Sequence, residues 1–311
     1  MSGGRIRVGT ASWTDPTLVK ESDWYPRKSM SAEERLRYYA SVFTMVEVDA
    51  TYYYPPTEHL AALWTRRTPQ DFRMDVKAYS LLTHHPTRRR SLWDDVAADL
   101  PDEHAGKSSV YLHHLPDAAV HRAFERFRAA LMPLHSAGKL GAVFFQFPQW
   151  FTARRDTRRY LRSLPGRLPD YQLAVEFRHH SWLDESTAEG TLELLREAGL
   201  AYVCVDEPQG FASSVPPVLA ATAPLSVVRF HGHNRDTWHA RNLSPAERFR
   251  YLYSDDELAR WAPRVGELAE STRETHVVMN NCYRDYGVRN ARQLAMLLGE
   301  GLHPDAGTDG S

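Results

Sequence analysis

This chain has little cysteine, little lysine beside its arginine, and no excess of charge of either sign. Two cysteines, Cys204 and Cys282, supply no disulfide framework, so a reducing cytoplasm is the expected compartment. Asp and Glu number 39 against 38 Lys and Arg, a net charge of −1. Bulk charge therefore argues neither for a polyanion nor for an anionic membrane as partner. No stretch approaches the roughly 18 apolar residues of a membrane span. MSGGRIRVGT at the start enters a strand pattern with no apolar run before it, so no secretion signal is expected. A GxGxxG after the first strand is also lacking, which counts against an open dinucleotide-binding sheet.

What is present is an ordinary globular composition, 42% hydrophobic and 25% charged over 311 residues, with a regular alternation of patterns. Runs rich in Val, Ile, Phe and Tyr recur at 7–13, 45–53, 72–79, 141–148, 171–179, 201–208, 225–232 and 275–282. Helical patterns lie between most of them. SAEERLRYYASVF opens with Ser31 at a capping position and Glu34 three residues on. Others fall at 57–67, 119–136, 186–198, 256–271 and 290–299. Strands alternating with helices imply right-handed βαβ units, and eight of them imply an α/β fold of the (β/α)8 TIM type. The expected layout is one barrel over 1–302 with an insertion or lid at 80–118 after strand three, and a disordered tail at 303–311. HNRDTWHARNLSPAERFRYLYS after strand seven reads as a long loop of the active site.

Strand parity then sorts the charges. Alternate strand residues face opposite sides, and in a barrel the apolar set meets the helices. Val46 and Val48 outward leaves Glu47, Asp49 and Thr51 inward; Met74 and Val76 outward leaves Asp75 and Lys77 inward. The same rule turns Glu176, Arg178, Asp206, Arg229 and His231 inward, and puts Phe144 and Gln146 on one face. Strand eight leaves Asn280 and Asn281 as alternatives for the inward position. Polar groups thus collect at the C-terminal mouth, where barrels of this type carry their active sites. Ion pairs that merely fill the interior, such as Asp75–Lys77 or Glu176–Arg178, are the competing explanation.

Several uncommon motifs occur in one order: VGTASW with WYP, VEVDATYY with PP, DVKAYSLLTH, FFQFP, AVEFRHHSW, VDEP, VRFHGHN, NNC and RNA. In these the chain resembles the YecE-like proteins, domain of unknown function 72, over nearly its whole length. The resemblance implies a TIM-type barrel and a site, but no reaction. The family has been likened to sugar isomerases and to endonuclease IV, which are analogies of fold. The chain departs from the family in having Asp49-Ala50-Thr51 where Asn-Ser-Thr or Asn-Thr-Thr is common, and Ala11-Ser12-Trp13 where Ser-Gly-Trp is common.

Three readings of the site follow. In the first, Glu176, Asp206 and His231 on strands five to seven hold Zn²⁺ or Mn²⁺ and the chain cleaves a phosphate ester, in a nucleic acid or a sugar phosphate. His84 and His85 are extra candidate ligands, and Arg178 and Arg229 would bind phosphate oxygens. The second is sugar isomerisation, epimerisation or glycoside cleavage without a required metal. Glu176 and Asp206 would act as acid and base, Lys77 would stabilise an enolate or form a Schiff base, and Trp13, Tyr52 and Trp182 would stack on a sugar. The third is a non-catalytic module for a nucleic acid or an anionic metabolite, using the arginines at 88–90 and 154–159. The combined expectation is an enzyme for a sugar or sugar-phosphate substrate, with catalytic Glu176, Asp206, His231 and Lys77. Arg178, Arg229, Asp49, Trp13, Tyr52, Gln146, Asn280 and Asn281 are its expected substrate-binding residues, with Lys77, Arg178 and Arg229 converging on the anionic group.

Overall fold

The computed structural model describes residues 4–238, 240 and 242–300, so the expected tail at 303–311 lies outside the described residues. Eight parallel strands form the sheet: β1 (Arg5–Thr10), β2 (Met45–Val48), β3 (Arg73–Lys77), β4 (Leu140–Gln146), β5 (Leu173–Glu176), β6 (Ala201–Asp206), β7 (Leu225–Phe230) and β8 (Glu274–Met279). Hydrogen-bonded ladders run in the order β1-β8-β7-β6-β5-β4-β3-β2, each pair parallel. The fold is the α/β TIM-type barrel that the strand count implied.

The barrel closes between β1 and β2 through a side chain. The Tyr39 hydroxyl accepts the Thr10 backbone N–H at 2.8 Å and donates to the Met45 carbonyl at 3.2 Å, taking the place of a ladder bond. Gly9 lets the strands come that close, since a Cβ there would sit 2.2 Å from the Met45 carbonyl oxygen.

Among the described residues seven longer helices surround the sheet: α1 (Ala32–Val42), α2 (Glu58–Arg66), α3 (Asp117–Ser136), α4 (Arg155–Arg167), α5 (Ala188–Glu197), α6 (Asp255–Glu270) and α7 (Tyr286–Leu297). Ser31 and Glu34 cap α1 reciprocally, as the spacing predicts, and Ser254 with Glu257 repeats the device on α6. The connection without a long helix follows β6. Residues 207–224 carry Pro208, Pro216, Pro217 and Pro224, which deny a helix its N–H groups, and the segment lies irregularly over Cys204. The 80–118 insertion is a folded subdomain with a two-stranded ribbon, Thr87–Arg88 against Ser109–Val110. It buries Leu81, Leu82, Val96 and Val110, and it docks on α3 through Arg122–Asp99 and Arg126–Asp95. Among the described residues no helix is long and apolar enough to cross a membrane.

Candidate functional site at the barrel mouth

The register shows which residues share the inner face. Glu47 pairs with Asp75, Lys77 with Phe144, and Gln146 with Glu176, all inward as parity predicts. On β7 Arg229 is level with Val278 of β8, which makes Asn280 the inward asparagine. Asn281 points outward instead and bonds the Tyr251 carbonyl and the Asn290 side chain.

β6 departs from the expectation. Val205 is level with Arg229 and Asp206 with Phe230, so Val203 and Val205 face the interior and Asp206 faces the helices. There its carboxylate accepts from the Tyr253 hydroxyl at 2.7 Å and lies 2.9 Å from His233 Nε2. The physical reason is that β6 is buried on both faces, so its apolar residues carry no parity signal. The inward carboxylate is the next residue, Glu207, which sequence reasoning passed over.

At the centre lies Arg229, 1% exposed, gripped on both sides. Its Nε and Nη2 donate to the two oxygens of Glu47 at 2.7 Å each, and its Nη1 donates to Glu176 Oε2 at 2.8 Å. The guanidinium also lies 4.8 Å from the ring centroid of Phe144. Burial raises the Glu47 carboxyl, and Arg229, the strongest opposing influence, offsets part of that rise by donating guanidinium N–H to both of its oxygens. Arg178 repeats the arrangement one layer higher. It contacts Glu176 Oε1 at 2.5 Å, donates to Glu207 Oε2 at 2.9 Å, and reaches His231 Nε2 at 3.0 Å. Burial alone would raise Glu176, but Arg178 and Arg229 together hold it well below the carboxylate range.

This pairing settles the state of His231. A guanidinium can only donate, so Nε2 accepts from Arg178 and the ring proton sits on Nδ1; the Asn280 amide, whose Nδ2 is placed 2.8 Å from Nδ1, must then be turned over so that its oxygen accepts that proton. Burial and the Arg178 charge push the imidazole down to about 3, so it is neutral at pH 7.

Two inward groups stand apart from this lattice. Lys77 makes no ion pair among the described residues; its Nζ lies 5.3 Å from the Tyr52 ring centroid, and burial with the Arg229 charge lowers its pKa. Asp49, partly buried beside it, is raised to about 6 by burial, with Lys77 the strongest opposing influence. Glu207 is raised to about 7 by burial, although Arg178 and the Val215 N–H hold its oxygens.

Above this layer opens a cavity of about 580 Å³ whose lining includes His85, Gln146, Trp150, Arg178, Trp238 and Phe249. The segment after β7, which includes the short helices Arg235–Trp238 and Pro245–Arg248, supplies Trp238 and Phe249, and the Arg178 guanidinium lies 5.5 Å from the Trp238 ring centroid. Gly232 fits under that loop at φ +83, where a Cβ would sit 2.4 Å from Tyr251 Cβ. Trp150, Trp238 and Phe249 were not singled out as individual residues by the sequence, because none lies on a strand where parity assigns an inward face.

Other expected residues go elsewhere. Trp13 is buried edge-on against Trp64, ring centroids 6.1 Å apart, and Trp182 is fully buried on Phe177 at 4.3 Å. Neither offers a face to a ligand. Arg229 has no open side toward the mouth, so of the three expected anion-holding cations only Lys77 and Arg178 remain. His84 packs on Tyr160 and Phe151, and burial pushes its imidazole down to about 4. Of the proposed metal ligands, Glu176 and His231 approach to 3.5 Å while Asp206 faces the other way, and both Glu176 oxygens are occupied by arginines. Among the described residues no group of three His, Cys, Asp or Glu side chains is arranged to hold a metal ion.

Comparison with known proteins bears on the whole chain. The family model described as "Protein of unknown function DUF72" matches residues 7–308. The UPF0759 protein YunF of Bacillus subtilis (strain 168) is 30% identical over 298 residues, 94% of each chain. A DUF72 family protein of Thermotoga maritima MSB8 superposes with a TM-score of 0.72 at 30% identity, covering 95% of this chain and 100% of that one. Another from Enterococcus faecalis V583 gives a TM-score of 0.75 at 25% identity, over 95% and 96%.

Proposed function

We propose, for a chain that belongs to the DUF72 family of proteins of unknown function, a barrel enzyme that moves a proton on a small anionic sugar substrate, a sugar phosphate, at the C-terminal mouth. The observation that carries this reading is the pair Lys77 and Asp49. They are the inward charges left out of the arginine–carboxylate lattice, and burial shifts both toward neutrality. Groups whose pKa values are drawn toward the working pH are suited to acid–base catalysis. Asp49, near 6, would take the proton from the carbon beside the sugar carbonyl and return it to the neighbouring carbon. The Lys77 ammonium would hold the oxygen on which negative charge develops, and Arg178, open to the cavity, would meet the phosphate.

Glu176 and Asp206 are unsuited to the acid and base roles their sequence positions suggest. Two arginines hold Glu176 ionised, and Asp206 lies on the far side of its strand. The surrounding lattice then serves to fix Arg178 and to keep the empty mouth close to neutral. The test is deuterium exchange: aldose and ketose phosphates are incubated with the protein in D2O and followed by NMR. Exchange at the carbon next to the carbonyl is expected, with loss of at least a hundredfold in Asp49→Asn and Lys77→Met. If no sugar phosphate in the panel exchanges, or if Lys77→Met exchanges at the wild-type rate, the reading is wrong.

A further inference from the structure

A single phosphate on Arg178 leaves a second guanidinium of the same cavity without an acceptor. Among the described residues the lining carries two arginines, Arg178 and Arg248, and no carboxylate. Burial pushes the His85 imidazole down to about 3 and the Lys77 charge adds to that, so this ring contributes no further cation. Arg178 is matched by Glu176 and Glu207, whereas no carboxylate pairs with Arg248 among the described residues. The Arg248 Nη2 donates to the Ala240 carbonyl at 3.1 Å, and its Nε is buried with no hydrogen-bond partner. A cation fixed there without a counterion is stabilised when an anionic ligand pairs with it.

Arg248 also stands close to the groups assigned to proton transfer. In an eight-stranded barrel β3 and β7 lie opposite each other, so the segment after β7 faces Lys77 across the mouth. Burial raises the Tyr53 hydroxyl and Asp49 adds to the rise, while Arg88 and Arg248 pull it down. Asp49 and Arg248 are therefore both within electrostatic reach of one hydroxyl. Lys77 connects to the cavity by contact: its Nζ lies 5.3 Å from the Tyr52 ring centroid, and that ring lies 5.1 Å from His85 on the cavity wall. Lys77, Arg178 and Arg248 thus stand at the ends of β3, β5 and β7, three points around one mouth.

We infer that the substrate carries a second phosphate: it is a ketose bisphosphate, with its carbonyl oxygen toward Lys77, one phosphate on Arg178 and the other on Arg248. This rests on the reading of the mouth as a sugar-phosphate site and names its substrate class more closely. A ketose phosphorylated on both terminal carbons keeps a carbonyl at C2 and a C–H beside it at C3, so the proton transfer retains its reacting atoms. The planar fork of N–H donors on each arginine suits a phosphate. The volume, about 580 Å³, lies within the roughly 300–1,000 Å³ of pockets that enclose small ligands, and it leaves room for a phosphate at each end of the chain.

The test is calorimetric titration of the full chain with ribulose 5-phosphate and ribulose 1,5-bisphosphate, open-chain ketoses that differ only in the second phosphate. The bisphosphate is expected to bind about tenfold or more tightly, the effect of one added charge-assisted fork. Arg248→Met should bring the two ligands to within about twofold of each other, and Arg248→Lys, which keeps the charge without the fork, should restore part of the preference. If the wild type binds both alike and Lys77→Met weakens both, the second phosphate is wrong and the sugar-phosphate site stands. A bisphosphate preference untouched by Arg248→Met also overturns the assignment. If neither ligand binds, both the second phosphate and the sugar-phosphate site fall.

Discussion

The two ends of the barrel interior are both filled with charge, yet they differ in how completely that charge is matched. At the N-terminal end Arg7 is ion-paired to Glu274 and donates to the Asp71 carboxylate at 2.9 Å and the Asp71 carbonyl at 2.8 Å. His276 sits 2.9 Å from both oxygens of Asp75 and 3.5 Å from Glu274. Gly141 leaves the room for that pair, because a Cβ there would lie 2.4 Å from Asp75 Oδ1. The result is a plug with its charges matched and closed over. The C-terminal end has an equally tight lattice around Arg229, but Lys77 and Asp49 stand outside it and Arg178 keeps an edge on the cavity. What separates the two clusters is therefore the presence, at the C-terminal end, of groups that the ion pairs leave unmatched, which is the feature the proposed site rests on. Charge by itself does not distinguish them, and an isolated buried ion persists only where something else compensates it.

The comparison breaks most visibly if Arg229 is removed. Arg229→Met leaves Glu47 without its partner and Glu176 with only one, and uncompensated buried charges cost about 3–5 kcal/mol. Urea denaturation should show that loss, and a variant as stable as the wild type would mean the lattice is dispensable. The same logic predicts that Glu176→Gln destabilises the fold as well as abolishing turnover, because two guanidinium groups depend on it.

Next in size is the response of the plug to pH. Burial alone would lower His276, but Asp75 and Glu274 raise it to about 9. A histidine raised in the folded state contributes its full stability below the unfolded value of about 6.5 and loses it as pH rises through about 9. Glu274 is the converse: burial would raise it, but His276 and Arg7 hold it at about 2, so its contribution is present above the unfolded value and is lost as pH falls through about 2. Between pH 6 and 9.5 the wild type should lose up to about 3 kcal/mol. His276→Gln should be nearly flat above about pH 8, keeping only the slope that Glu207 gives at lower pH, and a variant with the wild-type slope between pH 8 and 9.5 would remove His276 as the cause. At the mouth Glu207, raised to about 7, works in the same direction by a different route: its contribution is full below about 4.5 and declines as pH rises through 7.

Gly141→Ala should cost about 1–3 kcal/mol by overpacking against Asp75 and His276, side chains fixed by each other. The decisive result is a stability loss confined to the plug, with the exchange chemistry at the mouth intact. The smallest stability effect belongs to Lys77→Met. An amine with no ion pair, in a partly buried position, stabilises little, so a change of less than about 1 kcal/mol is expected. A large loss of stability would place Lys77 in the lattice after all.

Much of this was legible in the chain itself. Alternation of β-rich runs with helical patterns sufficed for the barrel, because eight βαβ units with one handedness have few ways to close. Parity sufficed for Glu47, Lys77, Glu176 and Arg229, whose strands carry apolar residues on one face and charges on the other. It failed on β6, where both faces are apolar and a one-residue shift exchanges Asp206 for Glu207. It was also silent about closure at Tyr39 and about the missing helix at 207–224, although the prolines there were in plain view.

The sequence by itself determined the architecture, the end of the barrel where polar groups gather, and the inward set on strands with a clear alternation, since these follow from local periodicity. Tertiary structure alone decided who pairs with whom. Glu47 and Arg229 are 182 residues apart in the chain and 2.7 Å apart in the fold. Pairing across a barrel depends on register and strand stagger, which no local pattern encodes, and that pairing locks Arg229 away and leaves Lys77 and Asp49 outside it.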